Sequence, residues 1–257
     1  MNLNDISRKN RLTDEINHYF VEYLKQVNYT GLFGVAPFSS VYINLMPIQQ
    51  NRLKKLLKSN LNNYMELGSI ISLAIAYRSE TIKNINSNRD GLVKKERWNL
   101  YSDKYEHLNN MLKEIGHKIA VKFKGIAIPP TTETPAENIN YVSDYYQHTI
   151  SHRLVAEHAG IGWRGKSELL ITKMHGPAVR LTSVILKGPL VYGKMIIDGC
   201  GECNACLEAC PILKKKYKLK NYREQCRLYI ISLGLKHDVC GKCLKACYFN
   251  GRWKQVN

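Results

Sequence analysis

Cys200-Gly-Glu-Cys203-Asn-Ala-Cys206-Leu-Glu-Ala-Cys210-Pro211 is the stretch that decides how the chain is read. Three cysteines at two-residue gaps, a fourth after three residues and then a proline form the bacterial ferredoxin run. In that run three thiolates hold one iron–sulfur cluster and the fourth reaches a second. The spacing follows from the chemistry, because two-residue gaps let one tight loop cap three irons of a compact core. A second group follows, Cys226 and then Cys240, Cys243 and Cys247. Crossing the fourth ligands gives Cys200, Cys203, Cys206 and Cys247 to one [4Fe–4S] cluster. Cys210, Cys226, Cys240 and Cys243 then hold the other. Every cysteine is used and none remains as a nucleophile. Two zinc sites are the alternative, but structural zinc is usually held by two C-x2-C pairs, which the third cysteine and the C-P ending fit poorly.

Upstream of Pro189 the pattern changes. Ile16, Phe20, Leu24 and Val27 recur at helical spacing, GLFGVAPF (31–38) reads as a buried strand, and Pro47 opens a helix carrying Leu53, Leu56 and Leu57. SIISLAIAY (69–77) is a short β-branched apolar run expected to be buried on both faces. A long helix follows along Trp98, Tyr101, Tyr105, Leu108, Leu112 and Ile115. VKFKGIAIPP reads as a strand, 131–142 as a loop, 148–159 as a helix, and 168–172 and 179–187 as strands. This alternation predicts an α/β (α+β) domain over 1–192, followed by a ferredoxin-like two-cluster domain over 193–257.

The chain has 257 residues, 44% of them hydrophobic, enough for a sizeable core. No run approaches the roughly eighteen apolar residues of a membrane helix, and the first residues, MNLNDISRKNRLTDE, lack the apolar core of a secretory signal. The expectation is a cytoplasmic protein with no membrane partner, in which cysteines are metal ligands rather than disulfides. The formal charge of +17 would draw polyanions or acidic proteins. Its densest run is Lys214, Lys215, Lys216, Lys218 and Lys220, between the two cysteine groups. Two clusters need an external reductant, and small acidic carriers such as flavodoxin or ferredoxin suit such a face.

Gly160-Ile161-Gly162-Trp163-Arg164-Gly165-Lys166-Ser167 satisfies both G-x-G-x-x-G and G-x-x-x-x-G-K-S. Both motifs need a strand before and a helix after, so that phosphate sits on a helix N-terminus. Here the order reads reversed, with helix before and strand after, and MIID (195–198) is the one stretch that could serve as a Walker B strand. An ATP-binding iron–sulfur carrier and a non-catalytic electron-transfer protein are the competing readings.

HRLVAEHAGIGWRGKSELLIT, GPAVRLTSVILKGPL, EQCRLYIISLG around Cys226 and the eight-cysteine segment resemble the epoxyqueuosine reductases and their short relatives. The resemblance runs from about 65 to 250. In design that family resembles the corrinoid reductive dehalogenases, in which a base-off cobalamin in an α/β domain is fed by two [4Fe–4S] clusters. The resemblance implies an oxidoreductase that removes oxygen or halogen reductively, with the glycine loop, including Gly160, Gly162 and Trp163, against the corrinoid. The family's general acid is an aspartate upstream of that loop. Counting back from Gly160 puts Tyr146 at its place, with Asp144 two residues away and His148 and His152 nearby. Full-length members carry a C-terminal helical-repeat extension that helps hold tRNA, so tRNA and a small molecule both stay open as substrate.

Overall fold

A computed structural model of the chain describes residues 3–86, 88, 89, 92–131, 140–197 and 199–255. In chain order its elements begin with α1 (Leu3–Gln26), β1 (Gly31–Pro37), α2 (Phe38–Asn44), α3 (Pro47–Leu57), α4 (Leu61–Leu67) and β2 (Ser69–Ala76). Then come α5 (Ser79–Lys83), the short β3 (Asn88–Arg89) and β4 (Leu92–Val93), α6 (Lys95–Lys122) and β5 (Ile126–Ile128). After them stand α7 (Val142–Tyr145), α8 (His152–His158), β6 (Gly162–Arg164), β7 (Leu170–Thr172) and β8 (Val179–Leu186). The cysteine segment carries α9 (Ala205–Ala209), a 3-10 turn (Leu213–Lys218), α10 (Tyr222–Ser232) and α11 (Lys242–Asn250).

The main sheet has the order β1-β2-β8-β5, and all its pairings are antiparallel. The fold is therefore α+β. Strand–helix alternation suggests parallel strands, but here α2, α3 and α4 together return the chain so that β2 runs back beside β1. Residues alternate across β2 with period two. Ile71, Leu73 and Ile75 pack under α1 and α6 with Ile16, Phe20, Leu112 and Ile115. Ile70, Ala74 and Ala76 face α2, α3, α4 and α8 with Phe38, Leu53, Val155 and Ala156. All eight residues of β2 are buried, as expected for 69–77. Helices cover both faces, so an apolar run arises without a parallel sheet.

The strand expected over VKFKGIAIPP is shortened to Ile126–Ile128, because the apolar stripe of α6 continues through Ile119 and Ala120. The loop expected over 131–142 lies mostly outside the described residues. The segment after 193 is not packed apart from the rest: Val239, Cys240 and Leu244 join the core that contains Trp98 and Tyr101. Trp98 Nε1 donates to the Cys240 carbonyl at 2.7 Å. Among the described residues no helix is long and apolar enough to cross a membrane.

His152 opens α8 and is buried against the sheet. Its Nε2 faces the Pro129 carbonyl at 2.9 Å and its Nδ1 the Ser183 hydroxyl at 2.8 Å, an arrangement that suits the neutral ring. Burial pushes its pKa down to about 4. The unfolded chain therefore takes up a proton near pH 6.5 while the folded one does not, so this residue subtracts stability as pH falls from about 6.5 to about 4, by up to about 3 kcal/mol. His152→Gln should flatten the decline in unfolding free energy measured by denaturant titration between pH 7 and 4. Equal slopes in both proteins would show that this ring is not the source.

Candidate iron–sulfur centre

The glycine-rich stretch folds as a hairpin. β6 pairs antiparallel with β7 in the register Gly162–Thr172, Trp163–Ile171 and Arg164–Leu170. It follows α8 and leads into a strand, so no helix N-terminus stands where a phosphate would sit. Gly160 has φ of 72° and its Cβ would fall 2.6 Å from the Lys194 carbonyl. At Gly162 a Cβ would stand 2.1 Å from the Ile171 carbonyl. These glycines serve close backbone packing, and the two nucleotide motifs are coincidental. The Walker B candidate 195–197 is irregular coil, with Asp198 outside the described residues. The ATP-carrier reading is corrected on these grounds.

What the hairpin does touch is sulfur. A cavity is lined by Cys200, Cys203, Cys206 and Cys247, together with Trp163, Gly165, Lys166, Ser167 and Trp253. Trp163, Ile171 and Trp253 form its apolar wall with Cys206 and Cys247. A Cβ at Gly165 would lie 2.7 Å from the Ile171 side chain and 3.5 Å from Cys200 Sγ. Lys166 Nζ donates to Asn204 Oδ1 at 3.0 Å, and the Ser167 hydroxyl accepts from the Leu169 N–H at 3.4 Å. Trp253 Nε1 donates to the Cys247 carbonyl at 2.9 Å, whereas the buried Trp163 Nε1 has no partner among the described residues.

The thiols influence one another mainly within two groups, with Cys206 also raising Cys243 across them. Burial first, then Cys200 and Cys203, pushes the Cys206 thiol up. Burial followed by Cys206, Cys200 and Cys203 pushes Cys247 up to about 12. In the other set, burial and then Cys210 raise Cys226 to about 11. Cys240 is raised to about 11, by burial first, with Cys210 and Cys226 adding to it. Cys243 is raised well above its ordinary value by burial and then by Cys240, Cys210 and Cys226. Among the described residues no three His, Cys, Asp or Glu side chains are gathered tightly enough for a single metal ion. Sulfurs ringed around a walled space fit an iron–sulfur centre by donor type, number and surroundings.

Trp163 is 2% exposed, Gly162 is buried and Gly160 is half-buried, and a Cβ at either glycine would press on protein backbone. Trp163, Gly165, Lys166 and Ser167 line the cysteine cavity.

The expected proton donors lie together on α7 and the turn after it. Asp144 accepts from the Asn140 and Tyr141 backbone N–H groups at 2.8 and 2.7 Å, closing a capping box. These bonds, the one from Tyr141 foremost, hold its carboxyl below the usual carboxylate range, the reverse of what a donor at neutral pH requires. His148 is exposed on the following turn. The Tyr146 hydroxyl accepts from Arg223 Nη1 at 3.1 Å.

Glu168 is the residue that sequence reasoning missed. It holds φ of 68° in the hairpin turn and meets Lys216 at 2.8 Å, Arg153 at 3.1 Å, Arg223 at 3.4 Å and Arg164 at 3.8 Å. Its carboxyl is pushed up by burial, but Lys216 and the arginines outweigh that and hold it down. Lys216, expected on an open docking face, is turned inward; Lys214, Lys215, Lys218 and Lys220 remain exposed. Glu168→Ala would leave four cations without their shared counter-ion and should cost about 2 kcal/mol in denaturant unfolding. A loss below a few tenths of a kcal/mol would mark these pairs as surface contacts.

No family model matches the chain. Curated epoxyqueuosine reductases do. That of Listeria monocytogenes is 48% identical over 62 residues, 24% of this chain and 16% of its own length. That of Bacillus cereus is 31% identical over 147 residues, 56% of this chain and 34% of its own. That of Escherichia coli is 29% identical over 115 residues, 45% and 27% respectively. These matches span about a third or less of each relative. A solved, selenomethionine-labelled epoxyqueuosine reductase shares the fold at a TM-score of 0.50 and 20% identity, over 91% of this chain and 65% of that one.

Proposed function

We propose that this chain, a member of the epoxyqueuosine reductase family by the segment it shares with those proteins, is an iron–sulfur oxidoreductase that removes oxygen reductively from its substrate. The observation that supports this reading is the gathering of Cys200, Cys203, Cys206 and Cys247 around one cavity. In it, Cys200, Cys203, Cys206 and Cys247 hold one [4Fe–4S] cluster, and Cys210, Cys226, Cys240 and Cys243 the other. Residues 193–257 then carry electrons, and 1–192 hold the substrate. The relatives' name points to an epoxide in tRNA, and the net charge of +17 suits an RNA backbone. A bound cobalamin, which the family resemblance implies, would supply the reducing metal.

Reductive loss of an epoxide oxygen consumes two electrons and two protons and releases water, so a proton must be delivered where the oxyanion forms. Tyr146 is the donor in this reading. Its hydroxyl is held in place by Arg223 Nη1, whereas Asp144 is committed to its helix cap.

Anaerobic reconstitution should load about eight irons and eight sulfides per chain. With hydroxocobalamin and a reductant, the loaded protein should deoxygenate an epoxyqueuosine-bearing stem loop, and Tyr146→Phe should lower kcat at least tenfold with iron content unchanged. Stoichiometric zinc in place of iron would sink the reading as a whole. A fully active Tyr146→Phe protein would remove only the donor assignment.

The electron donor in this reading is a small acidic protein, flavodoxin or ferredoxin, docking on Lys214, Lys215, Lys218 and Lys220. Exposed charges are screened beyond roughly 8–10 Å at physiological salt, so reduction by such a donor should slow steeply as ionic strength rises. Rates indifferent to salt, or to replacing those four lysines by glutamine, would show that the donor docks elsewhere.

A further inference from the structure

We propose that the indole Nε1–H of Trp163 donates a hydrogen bond to a sulfur of the centre held by Cys200, Cys203, Cys206 and Cys247, and raises that centre's reduction potential. The inference rests on the iron–sulfur reading above. Trp163 is 2% exposed, and its Nε1 is buried without a partner among the described residues. A buried, unpaired N–H costs free energy and is rare enough in folded proteins to require an explanation. The indole nitrogen can only donate, so its partner must be an acceptor.

The surroundings supply one kind of acceptor. Trp163 lines the cavity that the four thiols surround, and it packs with Cys206 and Cys247. The ladder between β6 and β7 pins its backbone opposite Ile171, so the ring is held in place from its own strand. The second tryptophan of the cavity makes a useful contrast, because Trp253 Nε1 is already bonded to the Cys247 carbonyl at 2.9 Å. Of the two indoles in this wall, Trp163 is the one whose donor is still to be matched.

An N–H dipole aimed at a sulfur stabilises negative charge there. The reduced centre carries one more negative charge than the oxidised one, so the bond favours reduction and the potential rises. Around Trp163 itself the wall is apolar and buried, which weakens screening of the interaction. Two centres with the same four-thiolate donor set are thereby given different potentials, and electron flow between them acquires a direction.

Trp163→Phe keeps an aromatic ring in the wall and removes the donor. Wild type and variant, both reconstituted anaerobically, are compared by iron analysis and by redox titration followed with EPR. The expected result is equal iron and one of two midpoint potentials lowered, the other unmoved. Equal iron with both potentials unmoved overturns the inference and leaves the iron–sulfur reading standing. A wild-type protein that takes up no iron overturns that reading itself. Should Trp163→Phe fail to hold iron, benzothienylalanine at position 163 keeps the bicyclic shape and replaces only the N–H. Unchanged potentials in that protein overturn the inference. A lowered potential, or loss of the one centre, supports it.

Discussion

One carboxylate ties the cysteine segment to the sheet domain. Glu168 sits in the turn of the β6–β7 hairpin and is reached by Arg153 from α8, Arg164 from its own strand, Lys216 from the 3-10 turn and Arg223 from α10. Four cations around one carboxylate would repel one another in its absence. With it in place they fix the hairpin, the lysine-rich turn and α10 in one arrangement. Two further functions depend on that arrangement: the hairpin's other side walls the first thiol cavity, and Arg223 also reaches the Tyr146 hydroxyl.

The thiol cavity carries its own tension. Burial disfavours the thiolate, and each neighbouring sulfur adds to the effect, so Cys206, Cys226, Cys240, Cys243 and Cys247 are all held as thiols in the protein alone. A metal centre must displace those protons, and its binding free energy goes into ordering the surrounding chain. The apolar side chains of Trp163, Ile171 and Trp253 pack against Cys206 and Cys247, the two more deeply buried of the four.

Much of this was legible from residues. The runs at 31–38 and 69–77 became β1 and β2, the second buried along its whole length and the first only over Gly34, Val35 and Ala36. What escaped was long-range. GIGWRGKS matches two phosphate motifs locally, yet its meaning is set by Cys200, which lies 35 positions beyond Gly165 in sequence and 3.5 Å from a Cβ built there. Strand direction escaped for a similar reason, because β2 pairs with β8 more than a hundred residues later. Glu168 gave no signal, since a left-handed glutamate ringed by cations from three other elements has no local pattern. Lys216 looked like its neighbours and was not.

The two thiol sets are coupled by helix geometry alone. Cys243 and Cys247 both lie on α11, four residues apart, and each belongs to a different set. Cys206 lies on α9 and Cys210 caps its end, again four residues apart and again divided between the sets. Four residues of α-helix rise about 6 Å. Because α9 and α11 pack on each other, each contributes one sulfur to each side at a separation that neither can change without breaking a helical turn. The spacing between these pairs of sulfurs is therefore a property of secondary structure rather than of loop conformation. That is why two short helices suffice in a segment otherwise poor in regular structure, and why the proline after Cys210 stands where α9 has already ended.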